Sequence, residues 1–256
     1  MRSLASLLSA PTRLSKRIFS MKFVYAIGRT LGFFGRTLGF IDSPATTPAP
    51  LSKISHSCVD FCISSYNVDG NSNRVHSTRR CIAISRSIID KSPDLIFLQE
   101  VDEKILKLYK IIFWTQGYNL VSPLNESRSF YSTVAFSKLN GHCKRLDFRD
   151  SAQSVMGRDI LSYEIIINNR RTQFLSSHLE GITNGGVVRK AQLECLLELI
   201  DSNAGPAVVA GDLNIRQKEA NSLMSKFKKK AKVNQKDFKI LDCWESMGKD
   251  PNCKNT

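Results

Sequence analysis

The sequence predicts an α+β sandwich. Five short alternating runs lie between residues 118 and 177, only a few helical periodicities surround them, and strand-length apolar runs occur at 94–98 and 206–210. Strands in short succession argue for antiparallel pairing, and their being interrupted by so few helices argues against a doubly wound parallel sheet.

The first element of the folded part is a strand over Val59 to Tyr66, which alternates and then runs into the polar turn Asn67-Val68-Asp69-Gly70. Residues His76 to Lys91 read as a helix, with Ile82, Ile84, Ile88 and Ile89 on its apolar face and Ser92-Pro93 closing it. Asp94 to Leu98 is a strand that ends in Gln99-Glu100. A second helix follows from Asp102 to Trp114, on the spacing of Ile105, Leu106, Leu108, Ile111 and Ile112, with Gly117 as its stop. The alternating runs are Tyr118 to Val121, Tyr131 to Ser137, Gly141 to Phe148, Ile160 to Ile167 and Thr172 to Ser177, the last two joined by an Asn168-Asn169 hairpin turn. A third helix, Val187 to Asp201, carries Leu193, Leu196, Leu197 and Ile200 and precedes the strand Pro206 to Ala210. Residues 225–239 hold seven lysines against one acid, and like-charge repulsion predicts a loop there. Ile240 to Glu245 opens a further strand or helix.

A chain of 256 residues that is 42% hydrophobic can bury one sizeable core, and reads as one domain with an appendage. The appendage is residues 1–57. Between Met1 and Ile41 there are seven basic residues and no acid, in a Ser-, Leu- and Arg-rich composition that fits a mitochondrial transit peptide or a disordered basic arm. Its most apolar part, Phe23 to Phe40, is interrupted by Arg29, Arg36 and several glycines, which argues against a spanning helix. A duplicated Gly-Arg-Thr-Leu-Gly-Phe hexamer falls in the same part, and Ser43 to Pro50 reads as a Pro/Thr-rich linker. The folded domain is expected over residues 58–256.

The net charge of +14 favours a polyanionic partner, nucleic acid or an acidic membrane surface. Seven cysteines without a Cys-x-x-Cys pair argue against a zinc site and a disulfide framework, and fit a reducing compartment.

Four polar clusters each follow an apolar strand: Asn67 with Asp69, Gln99 with Glu100, Ser177-His178-Leu179-Glu180, and Asp212 with Asn214 and Arg216. Strand ends of a sandwich gather at one rim, so clusters distant in sequence converge there into an acidic pocket. Carboxylates and amides without cysteine suit a hard cation, Mg2+ or Mn2+. Such a pocket can cleave a phosphodiester. Glu100 holds the metal that polarises a phosphoryl oxygen, Asp212 orients or deprotonates a water, Asn67 and Asn214 hold water and phosphate, and Arg216 and His178 meet the developing charge. Singly, each residue has a plainer use. Glu100 can open a helix, Asn67 and Asp69 can form a turn, and His178 can be a hydrogen-bonded histidine without catalytic duty.

The ordered set Tyr66-Asn67-Val68-Asp69-Gly70, Leu98-Gln99-Glu100-Val101, Ser177-His178-Leu179-Glu180 and Gly211-Asp212-Leu213-Asn214-Ile215-Arg216 resembles the endonuclease/exonuclease/phosphatase superfamily, and within it the branch acting on 5′-phosphotyrosyl DNA. The resemblance covers roughly Cys58 to Cys253. It implies a four-layer α/β/β/α sandwich and a Mg2+-dependent (or Mn2+-dependent) hydrolase that frees tyrosine or peptide from DNA 5′ ends left by topoisomerase II, leaving a 5′-phosphate. It further implies Glu100 as metal ligand, Asp212 as catalytic acid or base, Asn67 as an active-site hydrogen-bonder, and Asn214, Arg216 and His178 as phosphate or water contacts. Trp244 resembles a tryptophan near the substrate groove, and Tyr131 joins it and Arg216 as a candidate substrate contact. A nuclear location is implied, against the mitochondrial one suggested by the leader.

The pattern also departs from the family. Beyond the region of Asp242 to Glu245 the family has a Trp-Asp-Thr segment and a last strand with a catalytic histidine. None of the four histidines here follows Asp212, so the domain is expected to lack its last strands. This leaves two other readings open: a catalytically impaired DNA-end or protein-binding relative, and a hydrolase of the same superfamily with another substrate.

Overall fold

The computed structural model describes residues 26–27, 35–36, 53–54, 61–70, 78–123, 131–154, 156–181, 185–202 and 205–233. Trp244 and the segment Ile240 to Glu245 lie outside them. In chain order the elements are β1 (Ala26–Ile27), β2 (Gly35–Arg36), β3 (Lys53–Ile54), β4 (Ile63–Asn67), α1 (Thr78–Ile89), β5 (Leu95–Val101), α2 (Glu103–Trp114), β6 (Asn119–Leu120), β7 (Ser132–Ser137), β8 (His142–Leu146), β9 (Ile160–Ile167), β10 (Arg170–Ser177), α3 (Gly186–Ser202), β11 (Ala207–Gly211) and α4 (Gln217–Val233).

The strands form two sheets. One has the order β2-β4-β5-β7-β6; the other has the order β1-β11-β10-β9-β3, with β8 also on β9. Period-2 alternation divides the long central strands between two layers of core. Leu95 and Phe97 of β5 point between the sheets, where they meet Leu161, Tyr163 and Ile165 of β9 and Phe174 of β10. Ile96 and Leu98 point the other way, onto Cys81, Ile84 and Ile88 of α1 and Ile105, Tyr109 and Phe113 of α2. On the second sheet, Leu175 and Val209 face Leu193, Leu196, Leu197 and Ile200 of α3, and Leu223 and Phe227 of α4. The layers are therefore α/β/β/α, as expected.

Local chemistry explains two of the boundaries. Asp102 caps α2 by accepting from the Ile105 amide at 2.8 Å. Asn168 and Asn169 both lie at positive φ, 49° and 59°, the paired left-handed geometry of a two-residue hairpin turn, and β9 and β10 pair in register from Ile167↔Arg170 to Ile160↔Ser177.

Two outcomes differ from the sequence reading. The lysine-rich loop expected over 225–239 is helical as far as Val233. Ala220, Leu223 and Phe227 recur at helical spacing and are buried against α3 and the sheet, and that burial outweighs the mutual repulsion of the lysines in the segment. In the appendage, three dipeptides pair with the sheets: β1 runs parallel to β11, β2 antiparallel to β4, and β3 parallel to β9.

Candidate active site

The parallel pair β4 and β5 brings Asn67 and Glu100 to one rim, since Asn67 pairs with Gln99 in the ladder. Glu100 itself leaves the ladder. The β5–β7 register shifts between Leu98 and Val101, and Glu100 sits at φ 58°. That bulge separates two neighbours. Gln99 is buried and donates to Ser65 Oγ at 3.1 Å and Ser176 Oγ at 3.4 Å, pinning the two sheets together, while Glu100 is re-aimed to the rim. The turn after β4 fits against the bulge. The Val68 amide donates to the Gln99 carbonyl at 3.0 Å, and Gly70 lies so close to the Glu100 carbonyl that a Cβ would collide with it. This gives the glycine of the Asn-x-Asp-Gly turn a steric reason.

The second sheet delivers its groups beside these. β10 and β11 are parallel, and beyond them His178 bridges to Asp212, with the Leu179 amide donating to the Asp212 carbonyl at 2.9 Å. Asn67 joins the sheets: its Nδ2 donates to Glu100 Oε1 and to Asp212 Oδ2, each at 2.8 Å, and its Oδ1 accepts from the Asp69 amide at 2.8 Å. Two carboxylates from different sheets thus share one neutral amide, which holds them near each other without adding charge.

The environment tunes each group. Burial raises the Asp212 carboxyl above its usual range, partly offset by hydrogen bonds from Asn67 and from the Asn214 amide at 3.2 Å. His178 lies 3.8 Å from Glu100 Oε1 and 3.6 Å from Asp212 Oδ2, distances that in isolation would favour a charged ring. The ring is nevertheless neutral. Burial, and then the Arg158 guanidinium, bring its pKa down to about 3, neither carboxylate is within hydrogen-bonding distance, and Nδ1 has no hydrogen-bond partner.

Of the residues expected here, the structure brings together Asn67, Glu100, His178, Asp212 and Asn214, the last donating from Nδ2 to the Leu179 carbonyl at 3.1 Å. The chain does not continue as an extended strand beyond Asp212. Leu213 and Ile215 do enter the core, but Asn214 lies at φ 48° and the chain turns there toward α4. Arg216 is exposed at the head of that helix, with its amide held by Glu219 at 2.8 Å. Tyr131 stands just before Ser132, the partner of Val101, and so at the same rim.

Arg158 escaped the sequence reading. It comes from the irregular segment before β9, where no periodicity or motif marks it. Burial lowers its pKa, while Glu100, Glu180, Asp212 and Asp159 hold the charge in place. A cation facing three rim carboxylates offsets their repulsion and offers a guanidinium to an anion. Glu180, fully buried, accepts from Ser154 Oγ at 2.7 Å through one oxygen and leaves the other without a partner. Among the described residues no three His, Cys, Asp or Glu side chains come close enough to cage a metal ion.

No family model matches the chain. Tyrosyl-DNA phosphodiesterase 2 of Bos taurus is 25% identical over 199 residues, 77% of this chain and 50% of that protein. Among solved structures, truncated Caenorhabditis elegans tyrosyl-DNA phosphodiesterase 2 superposes with a TM-score of 0.51 at 26% identity, over 60% of this chain and 62% of that one. The Danio rerio protein, solved with a single strand DNA product, does so with a TM-score of 0.53 at 22% identity, over 62% and 63%. The chain spans about half the length of the curated relatives it matches. In sequence over most of its length, and in its two-sheet α/β/β/α sandwich, the chain is similar to tyrosyl-DNA phosphodiesterase 2, of the endonuclease/exonuclease/phosphatase superfamily.

Proposed function

We propose that the chain is a metal-assisted phosphodiesterase that hydrolyses the 5′-phosphotyrosyl bond of protein-DNA adducts and leaves a 5′-phosphate. The observation carrying this reading is the Asn67 amide that bridges Glu100 and Asp212 across the two sheets. It sets two carboxylates at one rim in different settings, Asp212 with a raised pKa and Glu100 more open to solvent.

These roles follow from position. A carboxylate whose pKa is raised toward neutrality is a better proton acceptor, so Asp212 takes the proton from the attacking water. Asn67 fixes the direction of both acids, and Asn214 and Arg216 orient the phosphate. Arg158 meets charge that develops on phosphoryl oxygens, and neutral His178 fills the space behind the acids without drawing either into a tight ion pair. Glu100 would hold Mg2+ or Mn2+, with Asp212 near it. These are hard oxygen donors, and Mg2+ binds through one or two carboxylates with water and substrate phosphate completing its shell, so no protein cage is required. Bound there, the metal would supply Lewis-acid polarisation of the phosphoryl group.

The relative solved with a single strand DNA product and the net charge of +14 both support a DNA end as partner. The test is release of tyrosine from a 5′-phosphotyrosyl oligonucleotide with Mg2+. Glu100→Gln should lose at least about a hundredfold in kcat/KM while keeping its fold. Turnover that survives this substitution, or that prefers abasic-site DNA or RNA ends in the same panel, contradicts the reading.

A further inference from the structure

We infer that Arg189, a buried arginine on α3, is a positioning residue that locks the loop bearing His178 to the loop bearing Asp212 and Arg216; the inference rests on the site proposed above. Arg189 is 3% exposed, far from ordinary for a guanidinium, and its donors are spent on two targets. Nη1 donates to the Glu180 carbonyl at 2.9 Å. Nη2 and Nε grip the Glu219 carboxylate, with Nη2 at 3.0 Å from Oε1 and Nε at 3.3 Å from Oε2.

Each target leads to the rim. Glu180 follows His178 and Leu179, and its amide is held from the same helix face by Gln192 Oε1 at 2.9 Å. Residues three apart on α3 therefore take both main-chain groups of Glu180, and they leave that loop little freedom to shift. Glu219, in the first turn of α4, accepts from the Arg216 amide at 2.8 Å in the manner of a capping box. Its carboxyl would be raised by burial, but the hydrogen bonds and charges of Arg189 and Arg216 more than offset that and hold it low. Gly186, one turn before Arg189, leaves room for the pair: a Cβ there would come 3.2 Å from Glu219 Oε1.

A buried ion pair is a poor source of net stability, because the cost of desolvation consumes most of the attraction, so stability alone does not account for it. What the fork supplies is direction. Only a planar guanidinium can hold a carboxylate with one edge and a carbonyl with another, and lysine cannot replace it.

The experiment compares Arg189→Lys, Arg189→Met, Glu219→Gln, Arg216→Ala and the Arg189→Met/Arg216→Ala pair. Amide hydrogen exchange is read first because it needs no substrate. Loss of protection at the Glu180 and Arg216 amides, with β5 and β9 unchanged, is expected in both Arg189 variants. With phosphotyrosyl oligonucleotide, Arg189→Met should lower kcat/KM about tenfold, as small misplacements of reacting groups do. The double variant should lose less than the product of the two single losses, and lysine should restore thermal stability without restoring kcat/KM. If Arg189→Met does not fold, Glu219→Gln carries the same comparison. Unchanged protection, multiplicative losses in the double variant, or full activity per folded molecule would overturn the inference. A wild-type protein with no phosphotyrosyl hydrolysis refutes the proposed function instead, and the exchange measurement then decides the role of Arg189 by itself.

Discussion

Replacing His178 by glutamine tests the electrostatic description of the site through stability. The ring's pKa falls from 6.5 to about 3 on folding, because burial and Arg158 disfavour its charged form. The unfolded chain therefore binds a proton that the folded one refuses between those values. A depressed folded pKa contributes stability that is complete above the unfolded pKa and is lost as pH falls below it. Each pH unit below about 6.5 costs about 1.4 kcal/mol, so lowering the pH to about 5 removes roughly 2 kcal/mol. For a domain of this size that is roughly 4–8 °C in Tm. Asp212 contributes in the opposite sense: its carboxyl is raised, so the folded state gains protons more readily there as pH falls. The assay is therefore a difference, thermal or urea unfolding of wild type and His178→Gln across about pH 5 to 8. The wild type should lose about 2 kcal/mol relative to the variant over that range. Parallel curves would mean that His178 does not titrate differently on folding. A wild type that gains on the variant at low pH would mean that Glu100 and Asp212 pair with a charged ring, which would refute the neutral-histidine site.

Two further outcomes follow from the same geometry. Asp212→Asn should cut kcat by about 10²–10⁴-fold, the range for loss of a general base, while leaving stability at neutral pH equal or higher, since a buried carboxylate is replaced by an amide that still accepts from Asn67. Activity assays and thermal melts on the same preparation check both halves, and a fall in both together would argue for a structural aspartate. Phe227→Ala should cost about 3–5 kcal/mol in urea unfolding, because the ring is buried between α4 and the core; a cost below about 1 kcal/mol would return this lysine-rich segment to a loop.

That segment shows where sequence reading fails in physical terms. Charge repulsion and apolar burial were both visible in residues 217–233, but only the packing of Leu223 and Phe227 on α3 decides between them, and packing is a tertiary quantity. Where one force acts alone, the sequence sufficed. The alternation of Leu95, Ile96, Phe97 and Leu98 serves two core layers at once, and Asn168-Asn169 could hardly be anything but a left-handed turn. The pairing of β1 and β2 with β11 and β4 had no such signal, since two-residue strands carry no period.

The candidate site divides along the same line. Asn67, Glu100, His178, Asp212 and Asn214 were legible because each sits where an apolar strand stops, and four such polar strand ends recur along the chain although each has a plainer use by itself. Arg158 and Arg189 were not, the one lying in an irregular loop and the other on a helix where an arginine normally belongs to the solvated face. What identifies them is the company they keep after folding: Arg158 among Glu100, Glu180 and Asp212, and Arg189 between Glu180 and Glu219. Strand ends can present acids, but acids from two sheets repel and drift unless cations and amides fix them. The residues that make the pocket usable are thus the ones a strand-end motif does not contain, and their loss should disturb geometry and pKa before it disturbs the fold.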